Sequence, residues 1–184
     1  MKVCTFLTNG FETVEALAVI DILRRAGITT DTVSIDNNRM VKSAQSVTVE
    51  ADYTIDDYDF TEADVLFLPG GPGHVHLEQS EKVVDVLKKH YSAGKRIAAI
   101  CAAPSILGHL KMLENKKATC FPGYEKDLYG AEVLTAPATV VTDGNITTSR
   151  GMGTAVELGL ELVSLLISED KAKELGMTIQ FLNK

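Results

Sequence analysis

Arg96-Ile97-Ala98-Ala99-Ile100-Cys101-Ala102-Ala103-Pro104-Ser105-Ile106-Leu107 is the stretch on which the fold turns. Ile97 to Ile100, an apolar run after Gly94, reads as a buried parallel strand. Pro104 suits the first turn of a helix, where no backbone N–H is required. Cys101 therefore falls on a sharp strand-to-helix turn among small residues. That is the geometry of a nucleophile elbow, with Cys in place of Ser and with Ala99 and Ala103 where glycines are usual. A thiol so placed faces free backbone N–H groups and the positive end of a helix, which predicts a lowered pKa. The competing reading is a structural cysteine, packed as a small hydrophobe.

Upstream, Lys2 to Leu7 reads as a strand ending at the turn dipeptide Asn9-Gly10. Apolar residues at 16, 19, 20 and 23 mark an amphipathic helix from Thr13, stopped at Gly27. Thr30 to Ile35 completes a strand–helix–strand crossover. Val41 to Ile55 alternates in polarity and predicts an antiparallel excursion. Asp64 to Leu68 is a buried strand running into Pro69-Gly70-Gly71-Pro72-Gly73, where glycines allow close backbone approach. Glu81 to Tyr91 is the next helix. Downstream, Lys117 to Phe121 reads as a short strand ending at Pro122-Gly123. Val140 to Thr148 reads as a hairpin on Asp143-Gly144. Helices are expected at Thr154 to Ile167 and Glu169 to Leu175. Alternating strands and helices imply one doubly wound α/β domain over residues 1–184, with a mostly parallel sheet. Sites in such folds lie at the carboxyl ends of the strands, where Glu15, the Pro69–Gly73 loop and Cys101 converge.

Composition narrows the function. A chain of 184 residues with 45% hydrophobic residues can build one good core. The net charge of −7 argues against a phosphate-backbone binder. Three cysteines without CxxC spacing fit a reducing compartment. The apolar start is too short for a signal peptide, and no run approaches a membrane span of about 18 residues. A cytoplasmic protein is the expectation.

Ala98 to Pro104, Leu68-Pro69-Gly70-Gly71, Glu15 ahead of Asp21-Ile22-Leu23-Arg24-Arg25-Ala26-Gly27, and Thr148-Ser149-Arg150-Gly151 together resemble the DJ-1/ThiJ/PfpI superfamily, in its deglycase-like branch. The motifs lie in order along nearly the whole chain. The resemblance implies a flavodoxin-like sandwich of the class I glutamine amidotransferase-like type, usually a homodimer, with a readily oxidised cysteine at the elbow. It implies that Cys101 is the nucleophile, that Glu15 hydrogen-bonds it as acid/base, and that the N–H groups of Gly71 and Ala102 face the sulfur or an oxyanion. Gly70, Arg150 and Phe121 are supporting residues. The chain departs from relatives at Ala102, where protease-like members carry His, and at Phe121, which aligns with a His. It also has Met152 where Pro is common. These departures argue against a Cys-His hydrolase.

Alternatives stand beside each residue. Glu15 reads otherwise as a first-turn carboxylate answering the helix dipole, with Glu12 one turn earlier as a rival. His109 lies eight residues past Cys101 on one helix, about 12 Å along its axis, and cannot reach the sulfur. His90 ends a surface helix and reads as solvated. His74 and His76 sit on the crest, where His74 is a possible cysteine partner; His74, His76 and Glu78 are a faint metal hint, and no metal or organic cofactor is expected. Arg150 reads as an anion contact or, better, a brace on loop carbonyls. Cys4 and Cys120 read as strand-buried. Three functions follow. The first is a glyoxalase III or deglycase-type enzyme, acting on a small reactive carbonyl or a glycated protein and forming a lactate-type acid. The second is a redox sensor or chaperone-like protein whose Cys101 is oxidised to sulfinic acid. The last is thiamine-thiazole biosynthesis or an amidotransferase or protease role.

Overall fold

The structure is a computed structural model and describes residues 1–182. In chain order the elements are β1 (Lys2–Leu7), α1 (Thr13–Arg25), β2 (Thr29–Ser34), β3 (Met40–Lys42), β4 (Thr48–Glu50), β5 (Tyr53–Thr54), β6 (Val65–Leu68), α2 (His74–Gln79), α3 (Glu81–Ser92), β7 (Arg96–Ile100) and α4 (Pro104–His109). There follow β8 (Lys117–Ala118), β9 (Glu132–Val133), β10 (Val140–Asp143), β11 (Ile146–Ser149), α5 (Ala155–Leu166) and α6 (Glu169–Thr178). The central sheet has seven strands in the order β10-β11-β7-β6-β1-β2-β5. All neighbours pair in parallel except β10, which runs antiparallel along β11. This is the expected doubly wound, flavodoxin-like sheet.

The strands bury both faces, which is why they read as continuous apolar runs. Alternate side chains go to opposite layers. Val65, Phe67, Ala98 and Ile100 meet α1, α5 and α6 through Val19, Leu23, Leu158, Leu162 and Leu175. Leu66, Leu68, Ile97 and Ala99 meet α2, α3 and α4 through Leu77, Val83, Leu87 and Ile106. Each of the Val, Leu, Ile and Phe side chains, fully removed from water, contributes about 1.5–3 kcal/mol before entropy is charged against it. α1 stops where Gly27, at φ +80°, lets Ile28 N–H reach Leu23 O at 3.0 Å and Gly27 N–H reach Arg24 O at 3.0 Å. Those two bonds are a Schellman cap, and they turn the chain back into β2.

Four expectations change. The alternating segment after Val41 divides: β3 and β4 form the antiparallel hairpin, whereas β5 joins the main sheet parallel to β2. Asp52 makes that switch, its carboxylate accepting from Thr32 N–H at 2.9 Å and Arg24 at 2.9 Å. The strand expected at Lys117 to Phe121 shrinks to β8, which pairs with β9 outside the main sheet, so Cys120 lies beyond it although buried. An additional short helix, α2, follows the Pro-Gly loop. His90 is buried, not solvated: its Nε2 lies 3.0 Å from Arg96 O, and burial lowers its pKa. Val83, Leu87 and His90 are spaced as one helical stripe, so the last turn of α3 rolls His90 onto β7.

Candidate functional site

β7 ends at Ile100, and Cys101 takes φ +66°, a left-handed conformation costly for a residue with a Cβ. Both flanks hold it there. Cys101 N–H donates to Ser149 O at 3.0 Å, and Phe121 N–H donates to Cys101 O at 2.8 Å. Ala102 and Ala103 then lead into α4 with Pro104 at its start. Cys101 is the one cysteine of the three that is not buried.

Two loops bring the second group to it. After β1, Glu12 N–H donates to Gly70 O at 3.0 Å, and Gly73 N–H donates to Gly10 O at 2.9 Å. The first turn of α1 is thereby stitched to the loop after β6. Gly70 has no room for a side chain: a Cβ there would lie 2.5 Å from Cys101 Cβ and 2.7 Å from Glu15 Oε2. Gly71 adopts φ +87°, and a Cβ would meet Glu12 N at 2.5 Å. Glu15, 1% exposed, projects into this gap. Its Oε2 accepts Gly70 N–H at 3.0 Å, and across Gly70 the carboxyl faces Cys101, both lying against the same Cβ position. The backbone N–H groups of Gly71 and Ala102 act on the sulfur, and that of Met152 on the carboxyl, as favourable neighbours of the charged forms.

The dipole role considered for Glu15 belongs to Glu12. Glu12 caps α1, its carboxylate accepting Glu15 N–H at 2.7 Å. Burial pushes the Glu15 carboxyl up to about 7, opposed by the neighbouring Cys101 thiol and reinforced by the Glu12 charge. The lowered thiol pKa expected from the elbow is reversed. Burial and then the Glu15 charge push Cys101 up to about 12, against the Gly71 and Ala102 N–H groups. A buried carboxylate beside sulfur is a like charge to a thiolate, and two neutral donors do not offset it. Glu15 and Cys101 together thus hold one proton between about pH 7 and about pH 12.

The remaining candidates disperse. His74 is buried, but its Nδ1 lies 2.9 Å from Gly71 O and its ring stands edge-on to Tyr124, so it braces the Gly71 turn. His76 faces Asn9 O at 3.2 Å, and Glu78 pairs with His109. The His74-His76-Glu78 grouping therefore does not converge. Arg150 does not brace loop carbonyls: its guanidinium makes no hydrogen bond among the described residues, and only its backbone N–H donates, to Thr139 O at 3.2 Å. Burial pushes Cys120 up to about 12, with Arg150's charge opposing. The sequence reading misses the approach of the Gly151–Met152 turn to Glu15, whose only trace is the glycines around Met152.

A doubly wound α/β protein with cysteine on a nucleophile elbow, and a buried carboxyl from its first helix against the sulfur, is the class that this fold and site define. Residues 1–165 match the DJ-1/PfpI family, and the chain belongs to that family. It is 36% identical over 177 residues to Protein DJ-1 homolog B of Arabidopsis thaliana, covering 95% of this chain and 40% of that protein. The chain thus spans well under half the length of that relative, and 44% of the related homolog A. It is 34% identical over 150 residues to a deglycase of Pyrococcus horikoshii, covering 82% of this chain and 90% of that one. Among solved structures, oxidized DJ-1 of Toxoplasma gondii superposes with a TM-score of 0.93 at 30% identity, covering 99% of each chain.

Proposed function

We propose that the chain removes reactive carbonyls by cysteine chemistry, acting on methylglyoxal or on its adducts with protein side chains. The observation that carries this reading is the buried Glu15 carboxyl facing Cys101 across Gly70, with the Gly71 and Ala102 N–H groups beside the sulfur. The competent form is the minor tautomer of this one-proton pair, with the proton passed from the sulfur to Glu15 and the sulfur as thiolate. The thiolate adds to the aldehyde carbon, and the new oxyanion, facing the Gly71 and Ala102 N–H groups, takes the Glu15 proton. Glu15 then removes the proton from that carbon and returns one to the neighbouring carbon. This isomerises the hemithioacetal to a lactoyl thioester with no external oxidant. Water hydrolyses the thioester, releasing lactate and restoring the thiol. Every step uses side chains and backbone of this chain. The deglycase name of the Pyrococcus relative supports this class of substrate.

Glu15→Gln keeps the shape and a donor but cannot pass a proton, so lactate formation should fall about 10²-fold or more. Unchanged turnover in that variant would overturn the mechanism. A second reading rests on the same contact. A protonated Glu15 also donates to a Cys101 sulfinate, making the cysteine a peroxide sensor. Intact mass after mild peroxide, measured beside lactate output on one sample, separates the two. Two added oxygens on Cys101 with no lactate from methylglyoxal would favour the sensor.

A further inference from the structure

We propose that the entrance to the Cys101–Glu15 site selects carbonyl compounds bearing an aromatic or apolar group next to the reacting carbon, and that Phe121 does the selecting. This rests on the carbonyl reading above and names its substrate class. Phe121 is 47% exposed and Met152 is 55% exposed, although each belongs to a segment clamped onto the reactive pair. Phe121 N–H is fixed on Cys101 O at 2.8 Å, and the turn carrying Met152 is closed by Thr154 N–H on Gly151 O at 2.8 Å. Gly151, between Arg150 and Met152, lets these groups come close. A Cβ built there would lie 3.2 Å from Phe121 Cδ2 and 3.7 Å from Glu15 Oε1. The ring edge and the Glu15 carboxyl therefore flank the same glycine. Both apolar side chains rise from pinned backbone, so little further order is lost when a substrate covers them. An aryl or alkyl group lying on them removes apolar surface from water and adds aromatic or sulfur–aromatic contact. A substrate carrying only a methyl group uses little of that surface.

The test compares phenacyl bromide with bromoacetone on Cys101. In both, the thiolate sulfur displaces bromide from a CH₂ beside a ketone, forming one S–C bond and releasing one bromide. Only the phenyl or methyl group differs. Each rate is divided by that of a free thiol, and the site is verified by peptide mass. The corrected phenacyl-to-bromoacetone ratio should fall about fivefold in Phe121→Ala. It should stay near wild type in Phe121→Tyr and fall less in Met152→Ala. An unchanged ratio in Phe121→Ala overturns the proposal. Turnover of phenylglyoxal and methylglyoxal by the wild type, run alongside, tests the other claim. Turnover of neither would remove the carbonyl-scavenging reading, while the alkylation ratio still decides the entrance.

Discussion

Glu15 is a carboxyl almost wholly removed from water, and that environment sets a pH signature. Its carboxyl titrates near 7 in the fold, against about 4.5 when solvated. Between those values the folded chain keeps a proton that the unfolded chain has lost. Glu15 therefore contributes stability that is complete below about pH 4.5 and lost as pH rises through 7. The span corresponds to roughly 3 kcal/mol. Glu15→Gln should gain on wild type by about that much between pH 4.5 and pH 8, read as the difference in urea unfolding free energy. A difference constant across that range would place Glu15 in water. Activity has the opposite sign. Below about pH 7 both protons are on and no nucleophile exists, so turnover should rise with pH to a plateau above 7. The sequence motif singles this residue out. Its burial is not visible there, because Glu12 and Glu15 share the same helical turn. Only the packing of that turn on Gly70 tells the cap from the acid.

At the scale of elements, the site depends on how closely the loop after β6 meets β7 and α1. Gly70 is the contact point. A methyl there would strike the Ile100 carbonyl at 2.9 Å, part of a central strand that cannot give way, besides Cys101 and Glu15. Gly70→Ala should cost about 1–3 kcal/mol and separate the Glu15 carboxyl from the sulfur. Urea midpoints and the Cys101 alkylation rate measure the two effects. A variant with wild-type values of both would mean that the loop relaxes freely. The Pro-Gly run announced a close approach without saying to what. β5 and β8 were misread for a related reason: two-residue strands have no period, and side-chain contacts such as Asp52 on Thr32 decide their partners.

For the whole molecule, both sheet faces are covered by helices, yet α1 still presents Val14, Asp21, Arg24 and Arg25 to solvent. We propose α1, from Glu15 to Arg25, as the interface element of a homodimer. Light scattering at micromolar concentration should give about twice the 19.9 kDa chain mass, and a particle of 19.9 kDa would remove the claim. No helix among the described residues is long and apolar enough to cross a membrane.

The alternation of strands and helices, the elbow at Cys101 and the mostly parallel sheet were legible in the sequence alone. They follow from local rules: apolar runs between helical periods, a proline after a turn, a glycine at a helix end. The seating of His90 was nearly legible too, through its spacing from Val83 and Leu87. Only the tertiary structure decided the charge state of the site. A thiol at a helix start is acidified or not according to what is buried beside it, and here that neighbour is a carboxyl 86 positions away in the chain. Desolvation is a property of everything packed around a group, so no local spacing encodes it.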